Sequence, residues 1–164
     1  HCNMIKLNIG CGSRHLEGYV NIDFKADIVP PPDIVADCKH LPMYRDGTVC
    51  EILGIHMFEH FHPEEACIAL REYYRILAHG GKLILELPDM KELCRHFAYA
   101  TNDIDKYIIL EGMYSTSTPW SQHKYGWEEM LLFKHLQQAG FVNYFKSDPH
   151  YYFQGYNMRI EASK

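Results

Sequence analysis

The chain has 164 residues, 47% of them hydrophobic, with a formal net charge of −5 and a pI of about 6.1. That length suits one domain around one core, taken as residues 1–164. The acidic balance, with no lysine or arginine cluster, argues against a surface built for nucleic-acid phosphates, and no apolar run is long enough for a membrane-spanning helix.

Three residues, His1-Cys2-Asn3, precede the first methionine and are compatible with a cloning remnant. No secretory segment is expected. Six cysteines are scattered with no C-x-x-C pair, which excludes a zinc knuckle or thioredoxin-like motif. Scattered cysteines in an apolar α/β chain read as reduced and cytoplasmic.

The first element is an apolar strand, Ile5 to Ile9, which breaks into Gly10-Cys11-Gly12 and then polar Ser13 and Arg14. A second β-rich run, Tyr19 to Ile22, ends in Asp23. A buried strand, a glycine turn at its carboxyl end and an acid closing the next strand form the layout of a nucleoside-binding α/β domain. Glycine lets a ligand lie against bare backbone, and the acid can accept from both hydroxyls of a ribose. The dehydrogenase fingerprint is not met, because His15 stands where its third glycine would be. Few residues separate Gly10 from Asp23, so the first helix is short or missing and the loop at 13–18 must wall the ligand.

This stretch resembles the first motif of class I S-adenosylmethionine-dependent methyltransferases. The resemblance implies that Gly10, Cys11, Gly12, Ser13 and Asp23 hold that cofactor. Further on, Pro30-Pro31-Pro32 forces an extended connector, and Ile34-Val35-Ala36 reads as a short third strand ending at Asp37. In the family an acid at this place and the next backbone N–H contact the adenine edge. That implies roles for Asp37 and Cys38, with Leu41 covering one face of the ring.

Val49 to Ile55 is the fourth strand, near-continuously apolar as a central parallel strand should be. It emerges into His56-Met57-Phe58-Glu59-His60, and the resemblance places His56 and Met57 beside the cofactor. Pro63-Glu64-Glu65 opens a helix, and Ala66, Leu70, Tyr73, Tyr74 and Leu77 give its periodicity. His79-Gly80-Gly81 reads as its C-terminus, before a fifth strand from Lys82 to Leu87. The turn ILAHGGKLIL is the most specific part of a resemblance covering roughly residues 5 to 90.

Helices are expected over 90–100, 103–112 and 127–139, with a loop of two aromatics and a histidine over 115–126. Two late strands, 141–146 and 156–162, resemble the antiparallel hairpin that closes the family's sheet. The fold expected is α/β: a Rossmann-like three-layer sandwich, with a mostly parallel seven-stranded sheet, a C-terminal antiparallel hairpin and a truncated first helix.

His56-Met57-Phe58-Glu59-His60 also matches H-x-x-E-H, the inverted zinc-peptidase signature. That motif belongs inside a helix. Here His56 follows a strand and Pro63 marks the helix start, so the peptidase reading is a remote alternative; no metal-binding pattern of several carboxylates is evident either, so no metal is expected. The expected activity is methyl transfer from S-adenosylmethionine to a hydroxyl or amine of a small molecule, with positioning as the main catalytic term. Candidates for a base are His56, His123 and Asp89, from their places at strand ends or in a loop. Aromatics between Tyr114 and Tyr156 could stack a sugar or planar ring, or simply pack a core. The alternative is a non-catalytic nucleoside-binding or interaction module of the same fold.

Overall fold

The computed structural model describes residues 4–152 and 155–164. The three residues read as a remnant, and part of the aromatic stretch at 150–155, lie outside them.

Seven strands form one sheet: β1 (Ile5–Ile9), β2 (Val20–Asp23), β3 (Ile34–Val35), β4 (Val49–Ile55), β5 (Leu77–Pro88), β6 (Val142–Ser147) and β7 (Asn157–Ser163). Their order is β3-β2-β1-β4-β5-β7-β6. Pairing is parallel from β3 to β5 and antiparallel from β5 to β7 and β6. The expected parallel sheet and its closing hairpin are thus present. Among the described residues four α-helices accompany it: α1 (Pro63–Ile76), α2 (Met90–Tyr99), α3 (Asp103–Tyr114) and α4 (Glu129–Ala139). Residues 10–19, between β1 and β2, form turns and no helix. No helix among the described residues is long and apolar enough to cross a membrane.

Alternation along the strands sends successive side chains to opposite faces. One face is apolar. Leu7, Ile9, Ile22, Ile52, Leu83, Leu85 and Ile160 meet Leu70, Tyr73 and Ile76 of α1 and Leu132 and Leu136 of α4 in the main core. The other face carries Asn8, Asn21, Glu86 and Arg159, all buried, beside a small apolar cluster of Leu53, Ile55 and Ile84. What packs on that cluster is Leu16, Tyr19 and Tyr151, from loops and not from a helix. Its polar residues hold those loops. Asn21 accepts from the Leu16 N–H at 2.9 Å and from Asn8 Nδ2 at 2.9 Å. Fully buried Glu86 accepts from the N–H groups of His150 (2.7 Å) and Tyr151 (3.0 Å) and from Arg159 Nη1 (2.8 Å).

Two of the boundaries that differ from the sequence reading have a clear physical cause. α1 ends at Ile76, and Leu77 is already extended and paired with Val49. Leu77 is fully buried, so joining the sheet outweighs a helix cap at the glycines. Gly80 and Gly81 instead exchange hydrogen bonds with Lys164, at 2.9 and 3.0 Å. α4 begins two residues later than expected because Glu128 caps it, accepting from the Met130 and Leu131 N–H groups. Trp127, just ahead of the cap, is fully buried against Phe58, Tyr125 and His135.

Candidate functional site

The carboxyl ends of β1, β2 and β4 converge where a parallel sheet leaves a crevice. Gly10 (φ +62°) and Gly12 (φ +50°) turn the chain there in the left-handed region. A Cβ on Gly10 would lie 2.6 Å from that of Met57, while one on Gly12 would meet no protein atom within 4 Å. The first glycine therefore lets the turn pack on Met57, and the second leaves bare backbone facing open space.

Asp23 ties the turn to β2. Its carboxylate accepts from the Gly12 N–H at 2.9 Å and from the Lys25 N–H at 3.0 Å. Though only 6% exposed, it lines a cavity of about 770 Å³. Gly10, Gly12, Asp37, Cys38, His56 and Met57, each read from the sequence as a cofactor contact, line the same cavity. Cys11, Ser13 and Leu41 do not. Cys11 is buried behind the turn, and Ser13 is exposed. Leu41 is fully buried in the main core, its N–H donating to Glu72 at 2.8 Å, so it leaves no ring surface toward the cavity. Burial pushes the Cys38 thiol up to about 12 and, with Asp23 adding, the Cys11 thiol up to about 11. Both thiols are protonated at neutral pH and are not nucleophiles.

The cavity has a second wall that sequence reasoning only half found. The loop at 13–18, expected to wall the ligand, does not line the cavity; Pro119, Trp120, Ser121, Gln122 and Lys124, from the loop read over 115–126, do. Phe24, Lys25 and Ile28, directly after Asp23, were missed. Lys25 Nζ lies 4.4 Å from the centre of the Trp120 ring, so the two walls touch. An aromatic and a lysine directly after the acid were the available signal.

His56 leaves β4 with φ +50°, an unusual backbone for a non-glycine residue and a common mark of functional positions. Its N–H is held by the Glu86 carbonyl at 2.7 Å, and its ring lies 3.9 Å from that of Tyr152. The side chain lines both the large cavity and a smaller one of about 240 Å³. Its Nδ1 is 3.2 Å from Oε1 of Glu59, and its buried Nε2 has no hydrogen-bond partner. Burial alone would raise the Glu59 carboxyl, but His56, and beyond it His60 and His123, outweigh that and hold it below its ordinary value.

His123 does not face the large cavity with the rest of its loop. It lines the smaller one, with Nδ1 3.2 Å from the Met113 carbonyl and Nε2 3.7 Å from Glu59. Burial lowers its pKa, against the pull of Glu59. Asp89 lines neither cavity. It caps α2, accepting from the Lys91 and Glu92 N–H groups, and pairs with Lys146 at 2.6 Å while 1% exposed. A strand-end acid followed by a helix is an N-cap here, and its oxygens are spoken for.

The H-x-x-E-H stretch does not lie on a helix. His56 precedes a single 3-10 turn, Phe58–His60, so its two histidines do not share a helical face as the peptidase motif requires. Of the aromatics, Trp127 belongs to the core, Trp120 to the large cavity and Tyr156 to the smaller one. Tyr151 and Tyr152 lie under the Arg14 guanidinium.

No protein-family model matches the chain, and no curated protein matches it. Solved structures do. A SAM-dependent methyltransferase from Archaeoglobus fulgidus matches with a TM-score of 0.69 at 17% identity, over 98% of this chain and 86% of that one. A SAM-dependent methyltransferase from Methanosarcina mazei matches at 0.65 and 16%, over 100% and 93%. A possible histamine N-methyltransferase from Thermotoga maritima matches at 0.63 and 16%, over 98% and 82%. At such identities the likeness shows the fold: a Rossmann-like domain of the type found in S-adenosylmethionine-dependent methyltransferases.

Proposed function

We propose that this chain is an S-adenosylmethionine-dependent methyltransferase acting on a hydroxyl or amine of a small molecule. The observation that carries this reading is the Gly12–Asp23 pair on the wall of the large cavity. An open glycine backbone and an inward carboxylate, at the carboxyl ends of β1 and β2, suit the polar half of a nucleoside. Each Asp23 oxygen takes one backbone donor and keeps lone pairs for a ribose hydroxyl. Asp37 and Cys38 stand farther along the same wall, where an adenine edge would follow.

The cofactor supplies an activated methyl group, whose C–S electron pair returns to sulfur as the acceptor bonds to carbon and loses its proton. This chain's residues bind and orient. Met57 supplies an apolar wall against the glycine turn. Trp120 and Lys25 close one side and limit water. His56, alone among the three expected bases, lines both cavities, so its imidazole is the candidate to take the acceptor's proton.

Calorimetry with S-adenosylmethionine tests the reading. The wild type should bind it, and Asp23→Ala should weaken binding by about 1–3 kcal/mol, the loss of charge-assisted hydrogen bonds. Absence of binding to the folded wild type overturns the proposal. Binding without S-adenosylhomocysteine release across a broad small-molecule panel favours the non-catalytic nucleoside-binding alternative.

A further inference from the structure

Between the two cavities stands a group the proposed chemistry does not use. Glu59 is 2% exposed, and neither carboxylate oxygen has a hydrogen-bond donor in place. The nearest, His56 Nδ1, is 3.2 Å from Oε1 without meeting it as a hydrogen bond. A buried carboxylate without donors is costly unless something else satisfies it.

His60 and His123 face the same acid. One ligand-capable atom from each of Glu59, His60 and His123 lies within 4.8 Å of the others. The hydrogen bonds of both imidazoles point one way. His60 Nδ1 is 3.0 Å from the Gln122 carbonyl, and His123 Nδ1 is 3.2 Å from the Met113 carbonyl. A carbonyl only accepts, so each Nδ1 carries the ring's proton and each Nε2 keeps its lone pair. Metal-bound histidines are oriented in this way, the distal N–H donated to a backbone carbonyl.

The consequence is sharpest at His123. Its Nε2 lone pair confronts the Glu59 carboxylate at 3.7 Å, acceptor against acceptor. A second proton on the ring would make an ion pair at 3.7 Å but no hydrogen bond, so the Glu59 oxygen would still lack a donor. A cation between them mends this. Two ligands at about 2.1 Å from a tetrahedral ion stand roughly 3.4 Å apart, close to the spacing observed.

We propose that Glu59, His60 and His123 form a binding site for one divalent first-row transition cation. Two imidazole nitrogens and one carboxylate suit such an ion better than magnesium or calcium, which favour all-oxygen shells. Three protein ligands leave a position open. His60 lines the large cavity and His123 the smaller, so the ion sits in the partition, in reach of a group entering from either side. The class of ligand it would take is an oxygen donor, above all a hydroxyl, whose proton the ion makes easier to remove. That role rests on the transferase reading above; the binding of the ion does not. Residue spacing alone predicted no metal, because the third ligand comes from a loop far along the chain.

The test is metal uptake by the intact, chelator-stripped protein with Co²⁺ as the probe. Near-stoichiometric binding is expected by calorimetry, with the visible absorption of a low-coordinate Co²⁺ centre. His60→Ala and His123→Ala should each weaken uptake by at least about 100-fold, beyond what loss of an outer-shell partner costs. Circular dichroism confirms that each variant is folded, and half-exposed His60 provides the variant safest to fold. No stoichiometric uptake by the folded wild type overturns the site, as does uptake that both histidine variants retain. S-adenosylmethionine binding by the stripped protein is measured separately. Cofactor binding without metal uptake sinks the metal site alone, and metal uptake without cofactor binding sinks the transferase reading alone.

Discussion

The two faces of the sheet solve the same problem by different means. On one, apolar side chains of the strands meet α1 and α4, and burial needs no further arrangement. On the other, Leu16, Tyr19 and Tyr151 come from loops that lie on the sheet. A loop brings unpaired backbone groups with it, and these must find partners where water is excluded. Asn21 and Glu86 provide them, from positions where the opposite face has Ile22 and Leu87. A layer of helix can be replaced by a layer of loop, but the sheet beneath must then become polar at chosen points. The loops held in this way flank the site: residues 13–18 beside the glycine turn, and Tyr152 against the His56 ring.

The difference can be broken by mutation. The largest effect is expected from Trp127→Ala, which opens a cavity in the helical face and should cost about 3–5 kcal/mol by urea denaturation. A loss of under about 1 kcal/mol would mean that this face collapses readily and is not close-packed. Glu86→Gln keeps the shape but removes the charge from the buried Arg159 pair, and should cost about 3 kcal/mol. If the polar face were merely tolerated, this change would be close to neutral.

Asn21→Ala is expected to cost about 1–2 kcal/mol, since it leaves the Leu16 N–H without an acceptor and Asn8 Nδ2 with the Arg14 carbonyl alone. It should also speed proteolysis within residues 13–18 while α1 and α4 stay protected. Uniform loss of protection would show that the two faces open as one unit. Leu16→Ala should cost least, about 1 kcal/mol, because its side chain is only partly buried on a small cluster. A cost equal to that of Trp127→Ala would erase the distinction.

What the sequence disclosed follows the same division. The strands and α1 were legible because apolar periodicity reports on a face packed by regular elements. The Gly10–Asp23 spacing was legible because neighbouring parallel strands bring their ends together by topology alone. Leu41 and Asp89 were misplaced because local pattern does not separate a cavity wall from a core residue, or a strand-end acid from a helix cap. The encounter of Glu59 with His123 left no local trace. It depends on how residues 115–126 fold back, with the Lys124 N–H on the Glu59 carbonyl at 2.9 Å.

The chain has two tryptophans, and the fold sets them to different tasks. Trp120 is 65% exposed on the cavity wall under Lys25, and Trp127 is fully buried in the helical core. Their fluorescence is therefore two signals in one spectrum: a red, quenchable component from the mouth of the site and a blue, shielded one from the interior. Filling the cavity should alter the first and leave the second alone, while unfolding should shift the second toward the first. One excitation wavelength can thus tell an occupied site from a lost fold, with no label added.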